Sequence, residues 1–283
     1  MLDKPLLVFG EILWDIFPDG KKLGGAPLNF SYYFRKQGGN PQLISAIGKD
    51  KLGEDALKQI KYLGINTSYI QQIDKPTGEV NIFLKNGYHK FRINRGTAWE
   101  NISYPEEELA KCASGLYFGT VSRISEHNRS TLDKLISNLK DKTIFLDLNL
   151  REKFYNASDV GSLIRRVNYL KLNEEEAYFL KKMGLLQGTY EEEMVDFLIR
   201  MYKLNSCCIT LGQNGVVGGN KEGIFRVGGI PIGKLGDSVG CGDAFSATWL
   251  ACLLKRIPIK ESLEKANEIA AKVASKRGAI VEI

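Results

Sequence analysis

The sequence predicts an α/β fold: a doubly wound, mostly parallel sheet flanked by helices, with a small β-sheet lid. Three observations predict it. Short apolar runs alternate with amphipathic stretches along most of the 283 residues. TGEVNIFLKNGYHKFRI, Thr77–Ile93, breaks that rhythm with a hairpin signature, Asn86-Gly87 between runs of alternating polarity. ILWDIF, Ile12–Phe17, is also strand-like, lies far from the hairpin in the chain, and ends at the turn residues Pro18-Asp19-Gly20.

Taken in order, LLVFG (Leu6–Gly10), LYFGT (Leu116–Thr120), TIFLDLN (Thr143–Asn149), YLKLN (Tyr169–Asn173) and CCITLG (Cys207–Gly212) read as buried strands, apolar and bounded by polar residues or glycine. Between them, helical spacing runs over Leu52–Leu63, which opens with Gly53-Glu54-Asp55 and stops at Gly64, and over Ser125–Leu139 and Thr189–Leu204. Strand–helix–strand repetition implies parallel pairing, with ligands beyond the carboxyl ends of the strands. The core is assigned to residues 1–10, 24–65 and 97–283, and the lid to 11–23 and 66–96. A sheet with one apolar face must cover something, either a ligand cleft or the same sheet of a second subunit.

At 43% hydrophobic and 25% charged residues the composition is that of an ordinary soluble domain. No apolar run reaches the roughly 18–20 residues of a membrane span, and the N-terminal stretch carries acids where a signal peptide has bases. The cysteines Cys112, Cys207, Cys208, Cys241 and Cys252 are scattered without CxxC spacing, so neither a zinc site nor a disulfide framework is expected. The cytoplasm is the expected location. The net charge of +6 is interspersed with acids, which fits a solvated surface or attraction of an anionic small substrate; neither nucleic acid nor membrane is an expected partner. With only His89 and His127, histidine-centred catalysis has little to draw on.

Chemistry points to GDSVGCGDAFSATWL, Gly236–Leu250. Good helix formers follow Asp243, so Gly240, Cys241 and Gly242 sit at a helix N-terminus, where the first amides lack partners and the helix dipole is positive. Glycines let an anion approach those amides, and a carboxylate beside a transferring phosphate can accept a hydroxyl proton. A plain glycine turn with Asp243 as helix cap fits the local residues as well. Gly24-Gly25, with Asn29 one helical turn on, admits either a polyhydroxyl ligand or a tight strand-to-helix connection. Asp15, within the apolar LWDIF, needs a sugar hydroxyl pair or solvent. Asn173 and Glu176 in NEEEA form a helix cap, or steer Mg²⁺ and phosphate through water. No G-x-G-x-x-G follows the first strand, which argues against a dinucleotide site.

Together these stretches resemble the PfkB, or ribokinase-like, family of carbohydrate kinases, from Leu6 to about Ile280. The family signature D-[ST]-x-G-[AC]-G-D is similar to Asp237–Asp243, its glycine-pair motif to Gly24–Asn29, and its N-x-x-E motif to Asn173–Glu176. Within the family, GEILWDIFPDG…LGGAPLNF and FRINRGTAW resemble bacterial fructokinases most. The resemblance implies transfer of the ATP γ-phosphoryl group to a primary hydroxyl of a sugar such as fructose. It implies Asp243 as base and Gly240, Cys241 and Gly242 as anion hole. Asp15, Gly25 and Asn29 would hold sugar hydroxyls, with Arg95 reaching in from the lid. Asn173 and Glu176 would serve Mg²⁺ and phosphates. Thr210, Gly212, Gly215 and Asn267 would line the nucleotide side, and Asp237 would sit by a monovalent cation such as K⁺. A homodimer through the lid sheet is the implied assembly. The same fold serves kinases of 2-keto-3-deoxygluconate, ribose and nucleosides, and an idle sugar- or nucleotide-binding regulator is the non-enzymatic alternative. Ser238 and Cys241 replace the commoner threonine and alanine; the first keeps its hydroxyl, and the second acts through its backbone N–H. The Cys241 thiol, at a helix N-terminus, is either alkylation-sensitive or inert packing.

Overall fold

The computed structural model describes residues 2–17, 20–85, 88–151, 155, 157–232, 236 and 238–283. The expected turn residues Asn86-Gly87 and Pro18-Asp19, and the expected cation residue Asp237, lie outside them. In chain order run β1 (Pro5–Phe9), β2 (Leu13–Phe17), β3 (Gly20–Gly24), α1 (Ala26–Lys36), β4 (Asn40–Gly48), α2 (Lys51–Tyr62), β5 (Ile70–Ile73), β6 (Gly78–Lys85), β7 (Tyr88–Ile93), α3 (Glu107–Cys112) and β8 (Gly115–Gly119). There follow α4 (Glu126–Asn138), β9 (Thr143–Asp147), α5 (Ala157–Ile164), β10 (Tyr169–Asn173), α6 (Glu174–Lys182), α7 (Glu191–Tyr202), β11 (Ser206–Thr210), β12 (Val216–Asn220), β13 (Gly223–Val227), α8 (Cys241–Leu254) and α9 (Ile259–Ala274).

Among the described residues, nine strands form one sheet in the order β13-β12-β11-β10-β9-β8-β1-β4-β5. From β11 to β5 every neighbour pair is parallel; β12 and β13 extend the edge antiparallel. The central strands are largely apolar because successive side chains point to opposite faces and both faces are covered. Leu7 and Phe9 pack with the layer of α3 to α7, while Leu6 and Val8 pack with α1, α2, α8 and α9. Every strand expected from the sequence is present. The strands not foreseen either alternate imperfectly, as in NPQLISAIG of β4, or are short and glycine-bearing, as in VVGGN of β12.

A second sheet, β3-β2-β6-β7, stands apart. The β2–β3 and β6–β7 pairs are antiparallel, and β2 lies parallel to β6, joining two distant segments. Segment 66–96 therefore serves both sheets: its β5 pairs with β4 in the large one, and β6 and β7 belong to the small one.

The small sheet is rooted through Asp50, the N-cap of α2. Asp50 Oδ1 accepts the Gly53 N–H at 2.8 Å and the Thr77 hydroxyl at 2.6 Å, and Oδ2 accepts the Thr77 N–H at 2.8 Å. The Thr77 hydroxyl oxygen in turn accepts the Gly48 N–H at 2.9 Å. One carboxylate thus ties the end of β4, the start of α2 and the residue before β6. Burial pushes the Asp50 carboxyl up, but the Thr77 and Gly53 donors outweigh it and hold the group below its ordinary value of 3.8. Replacing a cap that also serves two further donors costs about 2–3 kcal/mol, so Asp50→Ala is expected to lose about that much in urea unfolding at neutral pH. Because the folded-state value is depressed, this stabilisation is present above the unfolded pKa and is lost as pH falls through the folded one. The gap between the variant and the parent is therefore expected to narrow below about pH 4.

Candidate active site

The first turn of α8 lies where the sequence places it. Gly240 is the N-cap in the left-handed region, with φ of 81°. A Cβ there would run into the Ala279 carbonyl, so the position accepts only glycine. Ala244 N–H makes the first regular helical bond, 2.9 Å to the Gly240 carbonyl, and Cys241 N–H makes only a long 3.4 Å bond to Ser238. The amides of Gly242 and Asp243 precede that first helical bond, where backbone donors have no carbonyl of their own helix to meet. Together with the helix dipole they give this turn a chemistry that suits an anion.

Asp243 does not cap this helix. Its Oδ2 accepts a 2.8 Å hydrogen bond from Asn29 Nδ2, across 214 residues of sequence. Asn29 belongs to α1, which starts at Gly25 with φ of 115°, a position where a Cβ would run into the Glu11 carbonyl. That close approach lets α1 begin against the end of β1 and present Asn29 to α8. Asn29 is buried, and among the described residues its Oδ1 has no hydrogen-bond partner. A buried acceptor left open costs free energy unless something fills it, and a ligand hydroxyl beside Asp243 fits. Burial raises the Asp243 carboxyl to about 7, the neighbouring Asp147 charge adds to this, and the Asn29 hydrogen bond, Lys171 and Arg151 oppose it.

The sequence reading missed the groups beneath this turn. Asp147 on β9 and Lys171 on β10 stand in register on adjacent strands and form a buried ion pair at 3.1 Å. Asp147 Oδ2 also accepts the Ser246 hydroxyl at 2.8 Å, which fixes α8 to the sheet. A Cβ on Gly242 would lie 3.1 Å from Lys171 Nζ, so glycine lets this turn approach that ammonium closely. Burial alone would lower the Lys171 pKa; attraction to Asp147 and Glu176 outweighs it and holds the amine above its ordinary value. The missed signal was a charge in each of two apolar strands, TIFLD and YLKLN, which only a partner makes tolerable. Glu11 was missed too. It is buried just past β1, and burial raises its carboxyl to about 7; the N–H groups of Glu11 and Ala26 pull down and the Asp243 charge pushes up.

Asp15, expected to hold a sugar hydroxyl, lies over Gly24, where a Cβ would come within 2.7 Å of Oδ2. Gly25 and Asn29 follow directly. Arg95, just past β7, pairs with Glu100: its Nε donates to Glu100 Oε2 at 2.9 Å, and its side chain is 51% exposed. Across the large sheet, Asn173 and Glu176 form a capping box at the start of α6. Glu176 Oε2 accepts the Asn173 N–H and Oε1 the Leu150 N–H, each at 2.8 Å, so both oxygens already serve the backbone. Burial leads in raising the Glu176 pKa, against attraction by Lys171. Thr210 stands beside Asn173 in the sheet and bonds the Leu172 carbonyl at 3.2 Å. Gly212 and Gly215, with φ of 56° and 94°, turn the chain into β12. Gly215 abuts Gly228, whose carbonyl accepts Asn267 Nδ2 at 3.0 Å, so the expected nucleotide-side residues fall into two neighbouring groups. No cluster of three or more His, Cys, Asp or Glu able to hold a metal occurs among the described residues, nor is any helix there long and apolar enough to cross a membrane.

A model of the pfkB family of carbohydrate kinases matches residues 17–283. The chain is 28% identical over 272 residues to an ATP-dependent 6-phosphofructokinase of Thermoanaerobacterium thermosaccharolyticum, covering 93% of this chain and 82% of that protein. It is 24% identical to a fructokinase of Salmonella typhimurium, covering 87% and 83%. The crystal structure of an uncharacterized sugar kinase from Pyrococcus horikoshii in complex with ATP superposes with a TM-score of 0.83 at 26% identity, over 97% of this chain and 93% of that one. The chain belongs to the pfkB family of carbohydrate kinases and has the ribokinase-like α/β fold.

Two outcomes follow from the site's electrostatics. Asp243 ionises near 3.8 when unfolded and near 7 when folded, so the native state holds its proton longer and stability declines as pH rises between those values. Asp243→Asn keeps the acceptor for Asn29 and removes that charge. Its thermal midpoint is expected to exceed the parent's by more at about pH 8 than at about pH 5 in paired melts. Lys171→Met strands Asp147 and is expected to lose about 3–5 kcal/mol in urea unfolding. Adding Asp147→Leu is expected to make the protein more stable than the single variant while leaving the anion site without its ammonium.

Proposed function

We propose that this protein transfers the γ-phosphoryl group of ATP to a primary hydroxyl of a sugar, with fructose as acceptor and fructose 6-phosphate as product. The Asn29–Asp243 contact carries the reading: a carboxylate tuned near neutrality, beside an open buried acceptor, at the rim of an anion-binding helix start. Asn29 Oδ1 and Asp15 bind sugar hydroxyls. Asp243 takes the proton of the attacking hydroxyl as its oxygen bonds to the γ-phosphorus, the bond to the bridging oxygen breaks, and ADP leaves. The amides opening α8 and the Lys171 ammonium counter the charge spread over the phosphoryl oxygens.

Thr210, Gly212, Gly215 and Asn267 line the nucleotide side in this reading. Mg²⁺ bound with the nucleotide would neutralise phosphate charge. Because both Glu176 oxygens already accept backbone N–H groups, Asn173 and Glu176 would hold it through water. A K⁺ beside Asp237 completes the cation set. The small sheet covers the sugar and excludes water, and pairs with its counterpart in a homodimer, in the cytoplasm.

Arg95, a half-exposed side chain that already pairs with the Glu100 carboxylate, favours a second reading, an acidic or phosphorylated hexose such as 2-keto-3-deoxygluconate or fructose 6-phosphate. ADP release measured with fructose, both of those, ribose and a nucleoside separates the two. Highest kcat/KM with fructose is the expected result; a preference for either anionic sugar replaces it with the second reading, and background release with every acceptor removes both. With the preferred acceptor, activity is expected to rise with pH through about 7, and Asp243→Asn to lower kcat by roughly 10²–10⁴-fold while both substrates still bind.

A further inference from the structure

Residues 275–281, beyond α9, run alongside the glycine turn that opens α8. Gly236 N–H donates to the Ala274 carbonyl at 2.8 Å. A Cβ on Gly236 would run into the Lys276 carbonyl, and one on Gly240 would come within 2.6 Å of Ala279 Cα. Backbone therefore lies directly on backbone, and any shift of residue 279 displaces the turn.

The segment is held by one side chain. The Tyr33 hydroxyl donates to the Ala279 carbonyl at 2.9 Å and accepts the Val281 N–H at 3.1 Å, across 246 and 248 residues of sequence. Tyr33 is fully buried, and burial holds its phenol well above the ordinary range, so it remains a donor. It lies on α1 four residues after Asn29, hence on the same helical face. That face therefore grips both sides of the site: Asn29 holds the Asp243 carboxylate, and one turn later Tyr33 holds the backbone on which Gly240 rests.

We infer that the Tyr33 hydroxyl is a positioning group for phosphoryl transfer: by fixing residues 279–281 against Gly240, it sets the amides that open α8 relative to the carboxylate held by Asn29. The inference rests on the phosphoryl-transfer reading and adds to it a residue that touches neither substrate. Its effect falls on the anion side, so turnover responds while sugar affinity does not.

Tyr33→Phe keeps the ring and removes both hydrogen bonds. With the acceptor the parent prefers, kcat is expected to fall about tenfold or more with sugar KM within about twofold, since a misplacement of ångström scale in a catalytic constellation is costly. In hydrogen exchange, amides over residues 236–246 are expected to exchange faster in the variant while those of the central strands do not change. Exchange needs no turnover, so it tests the tie even if no acceptor is found and the functional reading fails. Unchanged kcat with a lowered thermal midpoint, or unchanged exchange over 236–246, overturns the proposal. If Tyr33→Phe does not fold, a chain ending after Gly278 removes the same two bonds and leaves α1 intact. The same pattern is expected there, and full kcat in that truncation overturns the proposal equally.

Discussion

The hydrogen bond from Asn29 to Asp243 joins the starts of two helices that the chain makes 214 residues apart. Much of the rest of the structure serves to make that bond possible. Gly25 lets α1 begin against the Glu11 carbonyl, and Ser246 and Asp147 fasten α8 to the sheet. Desolvation opposes a charge on Asp243, and Asn29, Lys171 and Arg151 recover part of that cost. The balance leaves a carboxylate that changes charge near neutrality, where a weak base can both take a proton and give it up.

The large sheet was legible because its strands are buried on both faces and read as unbroken apolar runs, as in LLVF and YFG. The edge strands β12 and β13 were not: glycines dilute VVGGN, and pairing with a neighbour, which no local pattern records, makes it a strand. At the site, the glycine turn and Asn29 were visible as motifs, but the local residues alone read Asp243 as a helix cap ahead of a catalytic group. Only the fold shows that its carboxyl turns away from its own helix toward α1. Asp147 and Lys171 carried a usable signal, since each breaks an apolar strand, yet the register that pairs them depends on strand order. For Asn173 and Glu176 the capping alternative is built in full, and any service to a cation is added to it.

Polar groups are concentrated beneath α8 at a cost. Asn29 Oδ1, Thr248 Oγ1 and Trp249 Nε1 are buried, without hydrogen-bond partners among the described residues. A core chosen for stability alone would satisfy or remove such groups. Of these, Asn29 also holds the Asp243 carboxylate through its Nδ2. Stability is recovered in the stacked Phe30 and Tyr117 rings, with Phe145 tilted against Tyr117, and in the apolar layers on both faces of the sheet.

The parallel pairing of β2 with β6 has a consequence for the order of assembly. The two halves of the small sheet, β2–β3 and β6–β7, are separated in the chain by α1, β4, α2 and β5, so it cannot zip up from local hairpins alone. Its central seam closes only after β1, β4 and β5 have brought Leu13 and Gly78 side by side. The seam is therefore expected to close late and to open early, parting the small sheet into its β2–β3 and β6–β7 pairs while the nine-stranded sheet still stands.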